Sequence, residues 1–208
     1  MTQADRQFQE GMMGLFSVPI ILKNARGKQF ENIQEELLSV ANEVKFSQVK
    51  GWSRDTHMLS PDPFNTNIIV DNECSNFLDF LEDTLTEYIE TITGQAEFGY
   101  EITESWFTKT LKGKYAHEHH HGYADISGVY YMNTNQEDGN LVFDNLHSQM
   151  SGNYIFANLP GKQPMPLQNG LLILWPGPLK HGTWENNTDN ERMSLSFNIF
   201  VGRRGYRE

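Results

Sequence analysis

The second half of the chain consists of short apolar or alternating runs that are separated by turn residues. No helical period is found after Gly94, and six runs are typical of β-strands. They are "YEITESWFTKTL", "ISGVYYMN", "GNLVFDN", "NYIFANL", "GLLILWPG" and "RMSLSFNIFVG". Several short strands in succession pair into a sandwich or a barrel-like double sheet. This pattern limits the possible folds more than any other feature of the sequence.

The first half of the chain predicts two helices. A short strand, "LFSVPIILK", comes before them, and Pro19 suits it to a sheet edge. Apolar residues at three- and four-residue spacing predict a helix from Asn32, with Glu35 completing a capping box. A second helix is predicted to begin at residues 71–72 and to end at Gly94. We therefore expect an α+β, mainly β fold in which both helices cover one face of the double sheet.

Length and charge restrict the organisation and the partners. A chain of 208 residues with 38 % hydrophobic content predicts one domain over residues 1–208. The net charge of −11 argues against a nucleic-acid partner, because non-specific binding needs a basic surface. No apolar run approaches the roughly 20 residues that span a bilayer, and "MTQADRQFQEG" lacks signal-peptide order. We expect a soluble, cytoplasmic protein with no membrane partner, and a homodimer is left open.

Four of the seven histidines occupy five positions in the segment "YAHEHHHGYADISGVYYMN". Side chains two residues apart in an extended segment point to the same side, so an HxH pair can clamp a metal ion. The spacing fits His117 with His119 and also His119 with His121, whereas His120 would face the opposite way. A solvated, histidine-rich loop is the alternative interpretation.

A third ligand far along the chain would favour the metal site. Open catalytic metal sites typically take three protein ligands and leave positions for substrate. His181 follows the strand "GLLILWPG" and is predicted to lie on a loop just beyond its end. The remaining histidines, His57 and His147, have polar surroundings without ligand spacing, and we interpret them as surface residues.

Two predicted strands offer groups for binding a carboxylate. In "RMSLSFNIF", Arg192 and Ser194 share the polar face and could form a fork for a carboxylate. Tyr131 in "SGVYYMN" could add a hydrogen bond to the same group. Ordinary solvent exposure of an alternating strand is the other explanation.

Taken in order, His119-x-His121, "SGVYYMN", "GNLVF", "GLLILWPGPLKHGT" and "ERMSLSFN" resemble the Fe(II)- and 2-oxoglutarate-dependent oxygenases. They are most similar to the small prolyl-hydroxylase-like group of bacteria and their phages. The resemblance runs from about Leu15, where "LFSVPI" is similar to the opening strand of the family, to Asn198. It implies a double-stranded β-helix, or jelly roll, with iron at one open end.

The resemblance also implies a site and a reaction. It assigns three Fe(II) ligands, a residue for the far carboxylate of 2-oxoglutarate, and two supporting contacts. In that order these are His119, His121 and His181, then Arg192, then Ser194 and Tyr131. The implied activity is a dioxygenase that consumes O2 and 2-oxoglutarate, hydroxylates a C–H bond, and releases succinate and CO2. The implied substrate is a small molecule or a peptide, with peptidyl-proline as the nearest analogy.

The chain departs from the family at the second metal ligand. Most of the superfamily has aspartate or glutamate there, whereas this sequence has His121. Three imidazoles leave the metal with its full 2+ charge. Asp125 is an alternative ligand if the loop after His121 folds back, and Glu118 is another if the strand is irregular.

Two other functions stay open. Residues 113–125 and 170–181 approach the two motifs of the cupins, with Pro178 where the second motif has glycine. Arg192 with Ser194 favours the oxygenase, because a cupin has no need of a carboxylate fork. A non-catalytic jelly-roll protein that binds a partner through exposed tryptophans, Trp52 or Trp184, is the third hypothesis.

Overall fold

The computed structural model of the protein describes residues 17–48, 57–60, 66–145 and 160–202. The helices in this part of the chain are α1 (Gly27–Glu43), α2 (Ile68–Asp71) and α3 (Ser75–Thr93). The first five strands are β1 (Ile21–Asn24), β2 (Ser47–Gln48), β3 (Met58–Leu59), β4 (Gly99–Thr110) and β5 (Ile126–Asn133). The other five are β6 (Leu141–Asp144), β7 (Lys162–Pro164), β8 (Leu171–Pro176), β9 (His181–Thr183) and β10 (Arg192–Gly202).

The strands form two antiparallel sheets. The larger has seven strands in the order β1-β8-β5-β10-β4-β3-β2, and the smaller has three in the order β7-β6-β9. A buried apolar cluster that includes Val129, Leu141, Phe143, Ile173 and Trp175 joins strands of both sheets. The predicted double sheet is confirmed.

The helices cover the other face of the larger sheet. Phe77 of α3 packs edge-on against Tyr130 of β5 and Phe197 of β10, with ring centroids 5.4 and 5.8 Å apart. Because strand side chains alternate, Tyr131 then faces the smaller sheet. The predicted helical layer is confirmed. The other face of the central strands, which lies towards the smaller sheet, is available for a functional site.

The first helix begins earlier than predicted. Its N-cap is Arg26, which makes no side-chain capping bond, and Asn32 lies within the helix. The chain turns directly after β1, where the Ala25 N–H donates to the Gly170 carbonyl at 2.9 Å. This tertiary contact sets the helix start, so the capping-box prediction with Glu35 is wrong.

The second predicted helix corresponds to α3, which begins at Ser75 rather than at residues 71–72, and the separate helix α2 comes directly before it. Glu73 lies between them with a positive φ of 50°, and the Cys74 N–H donates to the Ile69 carbonyl at 3.0 Å. The predicted end is confirmed, because Gly94 adopts the left-handed region at φ 71° and its N–H donates to the Glu90 carbonyl at 2.8 Å.

Some predictions lie outside the described residues. These are the strand "NYIFANL", the surface position of His147 and the exposure of Trp52. Trp184 is described, and it is 47 % exposed. No helix in the described part of the chain combines the length and the apolar character that crossing a membrane requires.

Candidate metal centre

Three histidines that the sequence singles out lie together at one end of the two sheets. Each of His119, His121 and His181 offers a ring nitrogen, and these atoms lie within 4.8 Å of one another. The ring of His181 lies 4.5 Å from that of His119 and 5.3 Å from that of His121, centroid to centroid. His120 is exposed and stays outside the group. Of the two pairs that the two-residue spacing allowed, the structure brings together His119 and His121, and it places the predicted third ligand, His181, beside them.

Backbone hydrogen bonds position all three histidines. His181 opens β9 rather than lying on a loop, and it pairs there with Phe143 of β6. The His119 N–H donates to the His181 carbonyl at 2.8 Å, and the His181 N–H returns the bond at 2.9 Å. The His121 N–H donates to the Gly177 carbonyl at 2.8 Å. The histidine-bearing segment therefore docks on residues that follow β8.

The ring contacts identify which nitrogens remain for a metal. Nδ1 of His119 lies 2.7 Å from the His117 carbonyl, and Nδ1 of His181 lies 2.9 Å from the Leu179 carbonyl. A carbonyl only accepts, so each Nδ1 carries the proton and each Nε2 presents a lone pair. Convergent neutral imidazoles of this kind suit a divalent first-row transition metal such as Fe(II).

Burial keeps these imidazoles in their neutral form. It lowers the pKa of His121 to about 4 and that of His181 to about 3, with neighbouring histidines adding to the effect. The pKa of His119 is also lowered, again chiefly by burial. All three side chains are therefore neutral near pH 7, as metal ligands must be.

The alternative carboxylate ligands are directed elsewhere. Oδ2 of Asp125 accepts a hydrogen bond from the Val201 N–H at 2.8 Å. Glu118 forms ion pairs with Lys180, at 2.7 Å, and with Lys162. In the described ranges, the one group of potential ligands that meets contains histidines alone. Asp125 and Glu118 therefore do not replace His121.

A cavity of about 250 Å³ opens beside the histidines. Arg192, Ser194 and Tyr131 all line it, and they are only 2 %, 5 % and 2 % exposed. The register explains their proximity, because Ser194 of β10 lies opposite Tyr131 of β5. The structure thus places the three predicted carboxylate-binding residues in the same cavity as the histidine cluster.

The Arg192 guanidinium is held by neutral groups. Nη1 donates to the carbonyls of Asp138, at 2.9 Å, and Gly139, while Nη2 donates to the hydroxyls of Thr110 and Thr183 at 3.0 and 3.2 Å. No carboxylate of the described residues forms an ion pair with it. The Asp138 carboxylate acts on Arg192 through space. Since a buried cation without a direct ion pair is costly, this site favours an anionic ligand.

The interpretation of His57 as a surface residue is wrong. His57 is 6 % exposed and lines the cavity, and burial lowers its pKa to about 4. It precedes β3, which pairs with β4, and its N–H donates to the Tyr115 carbonyl at 3.1 Å. A two-residue strand is too short to show a period of two, so the local sequence held no signal for this burial.

A polar network behind His121 was also missed. The Asn198 amide nitrogen contacts Glu104 Oε1 at 2.5 Å and Tyr123 Oη at 3.1 Å, and the Tyr123 hydroxyl donates to Glu104. Asn198 shares the polar face of β10 with Arg192, which was the available signal. Glu104 and Tyr123 could not be linked to it without the β4–β10 register.

Comparison with known proteins assigns part of the chain to a family. Residues 104–198, which contain the three histidines and Arg192, match the sequence profile of the family described as "Putative 2OG-Fe(II) oxygenase". This region belongs to the 2OG-Fe(II) oxygenase superfamily. No curated protein sequence matches the chain.

Solved structures of 2OG-Fe(II) oxygenases share the fold. The α-ketoglutarate-dependent epimerase SnoN from nogalamycin biosynthesis has a TM-score of 0.63 at 11 % identity, covering 91 % of this chain and 83 % of that one. HygX from Streptomyces hygroscopicus, with nickel, 2-oxoglutarate and hygromycin B, has a TM-score of 0.59 at 14 % identity over 91 % and 84 %. A prolyl-4-hydroxylase from Pseudomonas putida has a TM-score of 0.55 at 14 % identity over 90 % and 94 %. The predicted jelly-roll, or double-stranded β-helix, fold is thereby confirmed.

Proposed function

We propose that this protein is an Fe(II)- and 2-oxoglutarate-dependent dioxygenase that hydroxylates a C–H bond and releases succinate and CO2. The observation that carries the proposal is that the histidine cluster lines one cavity with the buried Arg192, for which the described residues provide no direct ion pair. A metal site alone would suit many functions. A metal site beside a buried cation suits a cosubstrate that has a metal-binding end and a distant carboxylate.

His119, His121 and His181 would hold the iron through their Nε2 atoms. When bound, the iron supplies the activation of O2. The protein orients the rings, because Nδ1 of His119 and Nδ1 of His181 are fixed on backbone carbonyls. HygX, one of the similar structures, is known with iron bound and with nickel and 2-oxoglutarate bound.

Arg192 would bind the far carboxylate of 2-oxoglutarate. The carbonyls of Asp138 and Gly139 hold Nη1, so the guanidinium cannot turn away from the cavity without losing both bonds. Burial raises the pKa of Tyr131 to about 12, which keeps its phenol protonated and able to donate a hydrogen bond. Ser194 adds a second hydroxyl on the same wall. Charge-assisted bonds of this type are the strong ones in a dry site.

Much of the cavity wall is apolar, and Trp106, Val129, Leu141 and Trp175 contribute to it. Such walls exclude water and leave space for the carbon skeleton of a substrate. The substrate class that we propose is a small molecule or a peptide, with peptidyl-proline as one member of it. The net charge of −11 supports a substrate other than a nucleic acid.

The all-imidazole cluster is the observation that supports a cupin-type metalloprotein as the second candidate. Arg192 distinguishes the two, since a cupin needs no buried cation beside the metal. A non-catalytic jelly roll would need neither group.

Turnover of 2-oxoglutarate tests the proposal. The iron-loaded chain should form succinate from 2-oxoglutarate and O2 even without substrate, and His181→Ala should not. Mass spectrometry measures the succinate. An iron-loaded chain that forms succinate no faster than the metal-free chain would contradict the proposal.

A further inference from the structure

His121 is held differently from the other two histidines of the cluster. Backbone carbonyls accept from Nδ1 of His119 and of His181. Nδ1 of His121 instead lies 3.4 Å from Tyr123 Oη and 3.3 Å from Asn198 Nδ2. The histidine at the position where the superfamily usually has a carboxylate is therefore the one whose ring is oriented by side chains.

A buried amide fixes the direction of this side-chain network. The Ser127 hydroxyl donates to Asn198 Oδ1 at 2.7 Å, and both residues are fully buried. The amide nitrogen of Asn198 consequently faces Glu104 Oε1 at 2.5 Å and Tyr123 Oη at 3.1 Å. The reverse orientation would place two oxygen acceptors against each other. Since an amide nitrogen has two hydrogens, these two contacts use both, and none remains for His121.

The hydrogens of Tyr123 and His121 follow from this. The Tyr123 hydroxyl donates its one hydrogen to the Glu104 carboxylate, which only accepts. Towards His121, Tyr123 Oη therefore presents a lone pair, and Nδ1–H of His121 is the donor. Nε2 of His121 is left with its lone pair for the metal, as in the other two histidines.

Building on the proposed function, we propose that Glu104 and Tyr123 are positioning residues that place a carboxylate charge behind His121, one hydrogen-bonded group away from the ring. A carboxylate behind a metal-binding histidine fixes the ring and makes it a stronger donor. Here the Tyr123 hydroxyl lies between the Glu104 carboxylate and the His121 ring, and we call this chain of three groups the relay. In most of the superfamily the negative charge belongs to a carboxylate that binds the metal directly. Here it would belong to Glu104, which lies behind the ligand His121.

Cobalt binding to the full chain tests the relay. The variants are Tyr123→Phe, Glu104→Gln and the two combined, with Tyr100→Phe and Glu101→Gln on β4 as matched controls. Each single variant should weaken Co(II) affinity about 10- to 100-fold and shift the visible Co(II) absorption band, while the controls change neither. The combined variant should lose no more affinity than Tyr123→Phe, because both groups act along one path.

The band position is read on the metal-loaded fraction, so it reports on the ligand field and not on stability. Unchanged affinity in either single variant, or losses that add in the combined variant, would overturn the relay. In another outcome, the wild type binds Co(II) and His181→Ala does not, while Tyr123→Phe and Glu104→Gln keep the wild-type affinity and absorption band. That result would contradict the relay and leave the proposed function standing. Wild-type protein that binds no Co(II) would remove the proposed function and the relay together.

Discussion

His119 and His181, far apart in the sequence, form an antiparallel bridge in which each backbone N–H donates to the carbonyl of the other, at 2.8 and 2.9 Å. Their rings consequently lie side by side, with centroids 4.5 Å apart. The backbone therefore sets the spacing of these two candidate ligands before any metal binds.

Replacement of His181 by alanine should abolish tight Fe(II) or Co(II) binding, because the cluster would keep two imidazoles. Isothermal titration of the metal-free protein measures the change. His120→Ala is the matched control, since His120 is exposed and outside the cluster, and it should bind as the wild type does. Full affinity in His181→Ala would place the metal elsewhere.

Gly177 is a position at which a methyl group should disturb His121. A Cβ there would lie 2.2 Å from the Ala124 carbonyl oxygen and 2.6 Å from that of His121, both of them backbone atoms. Gly177→Ala should lower the free energy of unfolding by about 1–3 kcal/mol and weaken metal binding, as measured by urea denaturation and titration.

Gly161→Ala is the matched control for that change, because its Cβ would meet nothing within 4 Å. It should alter the free energy of unfolding by no more than about 0.5 kcal/mol. Equal stability and metal affinity in both alanine variants would show that Gly177 does not constrain His121.

Removal of the Arg192 side chain should separate cosubstrate binding from metal binding. Arg192→Ala should retain the metal but lose roughly 2 kcal/mol or more of 2-oxoglutarate affinity, about 30-fold, because a buried charge partner is lost. Calorimetric titration of the metal-loaded protein with 2-oxoglutarate provides the measurement. Arg26→Ala, at an exposed arginine, should bind normally. Unchanged affinity in Arg192→Ala would favour the cupin-type alternative.

Buried His57 should make the metal-free protein less stable in mild acid. Burial lowers its folded-state pKa to about 4, whereas the unfolded chain takes up a proton near 6.5. Between those values the unfolded state binds more protons, so the stability present above pH 6.5 is lost as the pH falls towards 4.

His57→Gln should remove the part of this acid-induced loss of stability that comes from His57. Between pH 7 and pH 5 the variant should lose about 1–2 kcal/mol less than the wild type in urea unfolding, at about 1.4 kcal/mol per pH unit. Exposed His120→Gln should behave as the wild type. Identical losses in His57→Gln and the wild type would contradict the burial argument.

The sequence predicted those parts of the site that local patterns carry. The alternation of "RMSLSFNIF" places Arg192 and Ser194 on one face. The two-residue spacing limited the partner of His119 to His117 or His121, and the structure selects His121. The contacts that were missed depend on tertiary register. Glu104 meets Asn198 only because β4 lies beside β10, and His57 is buried only because two-residue β3 pairs with β4. The start of α1 depends in the same way on the contact between Ala25 and Gly170.

Anaerobic titration of Fe(II) and 2-oxoglutarate into the full chain, followed by visible absorption, tests the proposed function most directly. Chelation of iron by the keto acid should produce a weak charge-transfer band that needs both additions. The band should be absent in His181→Ala and should require much more 2-oxoglutarate in Arg192→Ala. A wild-type chain that binds iron and yet shows no such band at saturating 2-oxoglutarate would contradict the assignment as a 2-oxoglutarate-dependent dioxygenase.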